Sequence, residues 1–201
     1  MRVLIAIGTA ALAASACTAE LEPEVCPTVG VGDLVVTEVR GNQDDALGEW
    51  IELANVSGAT IELRGLHLDV RKLDGSGADR YVVRRSVTVA AGARVVLGSF
   101  TTPPAYVDYG WHPDGLGAGG AIAHLPDGGA LDVSACDVTI DRVVWNDLPG
   151  YGTYSLGGVP DANANDPASA WCVDAPPPPT NPDDPPPPAP GTPGEDNVSC
   201  P

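Results

Sequence analysis

The chain has 201 residues, enough for one domain with appendages, and its 24 glycines, 21 prolines, single Phe and single Met leave few runs of helix formers. Its formal charge is −17, with 27 acidic side chains against 10 Lys and Arg. An excess of that sign repels nucleic acid and anionic lipid headgroups and suits a solvated domain.

The start, "MRVLIAIGTAALAASAC", reads as an export leader: Arg2 is the positive end, residues 3–12 the apolar stretch, and Ala14-Ser15-Ala16 a small-residue cleavage site. The apolar stretch is too short to span a bilayer. "LAASAC" resembles the lipobox of bacterial lipoproteins. That implies a signal peptide over 1–16, a mature chain beginning at Cys17 with lipid on its sulfur, and anchoring to the cell envelope through the membrane. Thr18, rather than Asp, then points to the outer membrane if the host is Gram-negative. Ala14 stands where Leu is commoner, and the same three residues also suit an ordinary signal peptidase, so free secretion is the alternative.

Cysteine parity favours the lipid. Of Cys17, Cys26, Cys136, Cys172 and Cys200, lipid on the first leaves four for two disulfides. The leader holds one Arg and no acid, so the mature chain carries 27 acids against 9 bases, −18.

Residues 17–32 form a short tether. Strands are predicted over 33–40 ("DLVVTEVR") and 49–56 ("EWIELANV"), separated by the turn cluster "NQDDALG". In the second strand Trp50, Glu52 and Ala54 share one face and Ile51, Leu53 and Asn55 the other. The matched aliphatic pair Ile51 and Leu53 is the core side, which leaves Trp50 half covered. "TIELRGLHLDV" follows, with Gly65 shifting the apolar phase as a bulge or kink does. "YVVRRSVTV", "ARVVLGSF", "AIAHL", "ALDVS", "VTIDRVVW" (138–145) and "GTYSL" (152–156) are further strands, with a looser stretch over 101–120. Short strands at about ten-residue spacing predict an all-β sandwich or barrel.

The bases cluster. Arg64, Arg71, Lys72, Arg80, Arg84, Arg85 and Arg94 face only Asp69, Asp74 and Asp79 within 31 residues, a local excess of +4. An edge strand guarded by charge explains this, and an anion-binding face is the sharper reading. His67, His112 and His124 have no metal-ligand spacing, and no nucleophile elbow is present. "GLGAGG" (115–120) opens no helix and reads as a loop. Glu49 and Glu52, three apart in a strand, point to opposite faces, poor geometry for an acid–base pair. Asp161, Asn163 and Asn165 alternate as calcium ligands do, but Asp166 and Cys172 stand where an EF-hand needs Gly and Glu. No catalytic residue, metal or cofactor is expected.

Taken together, "DLVVTEVRGNQDDALGEWIELANVSGATIELRGLHLDV", "VTVAAGARVVLG", "IDRVVW", "YSL", "ASAW" and "GTPGEDN" resemble, in order, the segments of the lamin-tail domain. Glu38, Glu49, Trp50, Glu52, Leu53, Asn55, Leu63, Gly65 and Leu68 fit its opening pattern. The resemblance implies an immunoglobulin-like β-sandwich over 33–201. It also makes the proline-rich residues 173–190 an insertion in the last loop, because Trp171 and Thr192 lie further apart than the family's counterparts. A chain that returns after the prolines makes Cys172–Cys200, with Cys26–Cys136, the preferred pairing; Cys26–Cys200 with Cys136–Cys172 stays open. The implied role is a non-enzymatic envelope module that contacts an envelope or extracellular protein. The family's nuclear members suggest the alternative, a nucleic-acid-binding module using Arg64–Arg94, against which the charge argues.

Overall fold

The computed structural model describes residues 24–43, 45, 47–111, 124–175 and 191–200. The leader, residues 17–23 of the tether (Cys17 among them), His112, "GLGAGG" and residues 176–190 of the proline-rich stretch lie outside them.

Twelve strands and one 3-10 turn follow in order: β1 (Leu34–Arg40), β2 (Trp50–Asn55), β3 (Ile61–Glu62), β4 (Leu66–Lys72), β5 (Asp79–Val82), β6 (Thr88–Val89), β7 (Arg94–Gly98), β8 (Tyr109–Gly110), β9 (Gly129–Ala135), β10 (Val138–Trp145), β11 (Thr153–Leu156), the 3-10 turn (Ala168–Ala170) and β12 (Trp171–Asp174). They form a six-stranded sheet of order β12-β11-β1-β2-β7-β8, a four-stranded sheet of order β10-β9-β4-β5, and a small β3-β6 pair. The fold is an all-β sandwich.

Alternation builds its core. Val36, Val39, Ile51, Leu53, Val95 and Leu97 from the large sheet pack with Leu66, Leu68, Val70, Leu131, Val133, Ile140, Val143 and Trp145 from the small one. A β-bulge between Val36 and Glu38 resets the register, so that Val36 lies opposite Leu53 and Glu38 opposite Glu52. Beyond the reach of β11, the Val36 N–H donates instead to the Asp141 carboxylate of β10, 2.7 Å away, bridging the two sheets.

Three expectations are corrected. "YVVRRSVTV" is two strands: β5 edges the four-stranded sheet, while β6 pairs with β3 after a break at Val83–Val87. In "AIAHL", His124 and Leu125 belong to no strand, and 121–123 lie outside the described residues. Trp50 is fully buried rather than half covered, at 1% exposure. Ile51 and Leu53 do sit in the main core, but Trp50 fills a second apolar cluster with Val96 and Val107, flanked by Phe100 and Tyr106. The chain after β7 makes that cover: Tyr106 donates to the Leu47 carbonyl (2.8 Å), and Asp108 is hydrogen-bonded on both sides to Val96.

Gly65 sits between β3 and β4 at φ +90°, a left-handed conformation that only glycine adopts freely. A side chain there would also run into the Val25 carbonyl, because the N-terminal segment crosses directly over it. That segment is pinned by Cys26–Cys136 (Cα–Cα 5.6 Å), and the C-terminal one by Cys172–Cys200 (5.5 Å).

Candidate functional site: the covered outer face of the large sheet

Where period 2 places polar residues on the outside of β1, β2, β7 and β11, the structure buries them. Glu38, Glu52, Thr37, Thr153 and Ser155 are all inaccessible, because residues 191–200 lie across them. Glu38 Oε1 accepts from the Thr153 hydroxyl, from Ser155 Oγ (2.8 Å) and from the Thr192 N–H (3.2 Å), while Oε2 is buried without a partner. Burial pushes the Glu38 carboxyl up to about 7. The Glu52 charge adds to this, and the bonds from Thr153, Ser155 and Thr192 oppose it. Beyond these, the charged groups around it are Arg94 of β7, which reaches Glu52, and Asp196 of the covering segment, bound to Arg94; Asp174 of β12 lies in register with Thr153.

Glu52 Oε1 accepts from Thr37 Oγ1 (2.6 Å) and Arg94 Nη1 (2.9 Å), and its Oε2 from the Gly194 N–H (2.7 Å). Burial raises its carboxyl as well, against the bonds from Thr37, Gly194 and Arg94. Asn197 completes the contact by donating to the carbonyls of Thr37 (2.6 Å) and Leu156 (3.1 Å), and Arg94 Nη2 reaches Asp196 at 3.0 Å. Two strand acids thus accept main-chain N–H groups two residues apart on another segment. Chemically this holds a peptide; it does not place a proton donor beside an open space.

The other motif acid, Glu49, works at the opposite end. It accepts from the Leu125 N–H (2.8 Å) and approaches His124 at 3.4 Å, its carboxyl raised by burial. Glu49 lies just before β2 and accepts from Leu125, whereas Glu52 accepts from Gly194, so the two acids hold different segments. Arg40, fully buried, binds the Gly48 carbonyl, Gln43 (2.9 Å) and Asp45 (2.6 Å), and Gln43 in turn donates to the carbonyls of Pro149 and Gly152. A cleft of about 630 Å³ opens nearby, lined by Asn42, Lys72, Asp79, His124 and Asp127 among others.

The seven clustered bases do not share a face: Arg71, Lys72 and Arg80 are on the four-stranded sheet, Arg94 is on the six-stranded one, and Arg64, Arg84 and Arg85 are in connections. Arg71 pairs with Asp132, Arg80 with Asp69 at 2.5 Å, and Arg94 is buried on the large sheet. Arg64, Arg84 and Arg85 are exposed near the β3–β6 end, with Arg85 stacked 5.0 Å from the Tyr109 ring, and Lys72 is at the cleft. β5 is indeed an edge strand. The calcium candidates do not converge: the Asp161 carboxylate accepts the N–H groups of Asn163 and Ala164, while the Asn165 side chain turns inward to Asp141 at 2.7 Å. Among the described residues no cluster of three or more His, Cys, Asp or Glu could hold a metal. His67 is buried beneath the N-terminal segment, 3.7 Å from Glu24.

Alternation puts Glu52 on the face opposite the Ile51 and Leu53 pair, and Arg94 is read with the clustered bases; neither reading supplies a covering segment. The signal available was "GTPGEDN", a polar stretch returning after the prolines. Compared with known proteins, the chain matches no family model and no curated protein.

Proposed function

We propose that this protein is a non-enzymatic, lipid-anchored envelope protein that presents one lamin-tail-like, immunoglobulin-type sandwich for contacts with other proteins. The single observation that carries this reading is what the motif residues do. Glu38, Glu49 and Glu52 each hold the main chain of a distant segment, Asn55 donates to the carbonyls of Ala59, Val89 and Ala90, and Gly65 lets the N-terminal segment cross. A pattern used that way makes a rigid scaffold rather than a reaction centre. Two disulfides support an exported chain, since such bonds persist outside the reducing cytosol. The proline-rich stretch is read as an insertion in the last loop, because the chain is back on the sandwich by Gly191.

Mass spectrometry of the protein isolated from membranes tests the anchor: the expected N-terminus is Cys17 bearing diacylglycerol, and an unmodified N-terminus would overturn it. Crosslinking in intact envelopes followed by capture tests the contact role, with one specific partner protein as the expected result.

A further inference from the structure

The segment 191–200 is docked by polar contacts. None of its side chains is buried, and its one branched aliphatic residue, Val198, is 45% exposed. Each hydrogen bond it makes replaces one to water, so the net gain per bond is small. Without apolar burial its place on the sheet depends on the Cys172–Cys200 link, which keeps its local concentration high.

The surface beneath is organised for a peptide. Glu38 and Glu52 accept main-chain N–H groups at two positions two residues apart; Arg94 takes an acidic side chain two residues further on; the carbonyls of Thr37 and Leu156 take the amide of the next residue, an Asn. Glu38 Oε2 is buried without a partner, so the present occupant leaves one polar atom of the surface unsatisfied.

We infer that this face is a binding groove for a polar peptide of that pattern, that residues 191–200 occupy it in cis, and that Cys172–Cys200 is the lock a dithiol reductant opens. Both cysteines are partly buried rather than enclosed in the core. A thiolate of the reductant attacks one sulfur, forming a mixed disulfide and releasing the other as a thiolate that takes up a proton. The reductant's second thiol then displaces the remaining sulfur. Two electrons pass to the protein, Cys172 and Cys200 end as thiols, and the reductant leaves as its cyclic disulfide. The inference deepens the contact role above and rests on it only in naming the contact surface; lipid anchoring does not enter.

The test compares the full oxidised chain with a Cys172→Ser/Cys200→Ser variant, using a fluorescent synthetic peptide of residues 191–201 with Ser in place of Cys200. In the oxidised chain the Thr192 and Gly194 amides are expected to be protected from hydrogen exchange and the peptide not to bind. In the variant those two amides are expected to exchange at least about tenfold faster while β1 and β2 stay protected. The peptide should then bind saturably, and about tenfold more weakly when its Asn197 is replaced by Ala. Amides that stay protected in the variant overturn the lock. Exposed amides without peptide capture overturn the groove, and loss of β1 protection along with the segment overturns both. None of these outcomes bears on the anchor, which the mass of the N-terminus decides separately.

Discussion

The two ends of the sandwich are fastened by the same covalent device on very different footings. The N-terminal segment is held by Cys26–Cys136, and it also buries Pro27, packs Val29 against the core and lays the Val25 carbonyl over Gly65. The C-terminal segment is held by Cys172–Cys200 and by polar contacts to Glu38, Glu52, Thr37 and Arg94. A disulfide that reinforces apolar packing is a different element from one that supplies what packing does not. The first should be felt by the whole domain and the second mainly by the segment it ties.

Removing each bridge gives the largest expected contrast. Cys26→Ser/Cys136→Ser opens a link between residues 110 apart and should cost about 4–5 kcal/mol of global stability by loop entropy. The separation of 28 at Cys172–Cys200 would give about 3.5 kcal/mol on the same argument, but only if the segment unfolds together with the sandwich. Because it can leave first, the measured global loss should be well under half of that. Urea unfolding of both double variants checks this, and equal losses would erase the distinction.

The same sheet offers a second cover for comparison. Over Trp50 the cover is apolar, made by Phe100, Tyr106 and Val107, whereas over Glu38 it is polar. Trp50→Ala should therefore cost about 3–5 kcal/mol, on a par with Leu53→Ala in the main core at about 2–5 kcal/mol. A Trp50→Ala cost below 1 kcal/mol in denaturant unfolding would mean that the cover carries no energy.

These two covers also mark how far the sequence could be read. Period-2 alternation in "EWIELAN" put Ile51 and Leu53 inside, and the longer strands were legible because turns punctuate them, whereas β8 and β12 were not. Alternation says which side chains share a face, not whether that face is wet. Wetness here is decided by distant chain, Phe100, Tyr106 and Val107 over Trp50 and Thr192 and Gly194 over Glu38 and Glu52, and nothing local to Trp50, Glu38 or Glu52 announces it. The break within "YVVRRSVTV" was hidden for a related reason: β5 and β6 answer to different partner strands, and one apolar run serves both.

Glu38 turns the buried polar cover into a pH dependence. Its carboxyl is raised to about 7 in the folded protein from 4.5, so the fold binds the proton more tightly than the unfolded chain does. The stability this contributes is complete below about pH 4.5 and is lost as pH rises through 7. Burial raises Glu52 and Glu49 in the same direction. Glu38→Gln keeps an acceptor for Thr153, Ser155 and the Thr192 N–H while removing the charge. Between pH 5 and pH 8 the parent should lose about 2 to 3 kcal/mol more than the variant, from a shift of that size. Unfolding curves at the two pH values measure it, and parallel losses would show that Glu38 titrates normally.

The smallest expected effects separate the two ends by their polar contacts alone. Glu24 approaches His67 at 3.7 Å with its side chain 64% exposed, and the segment it belongs to has Pro27 and Val29 to hold it. An exposed pair of this kind contributes between 0 and about 1 kcal/mol, so Glu24→Ala should change global stability by less than about 0.5 kcal/mol and leave N-terminal exchange unaltered. Asn197 is only half-buried too, yet its amide bonds two carbonyls of the sheet, and the segment around it has no apolar anchor. Asn197→Ala leaves the Thr37 and Leu156 carbonyls to find water and should cost about 1 kcal/mol, all of it local. The Thr192 and Gly194 amides should then exchange about fivefold faster, with the urea midpoint of the sandwich unmoved. Equal and negligible exchange changes at the two ends would mean that the disulfide alone positions the C-terminal segment.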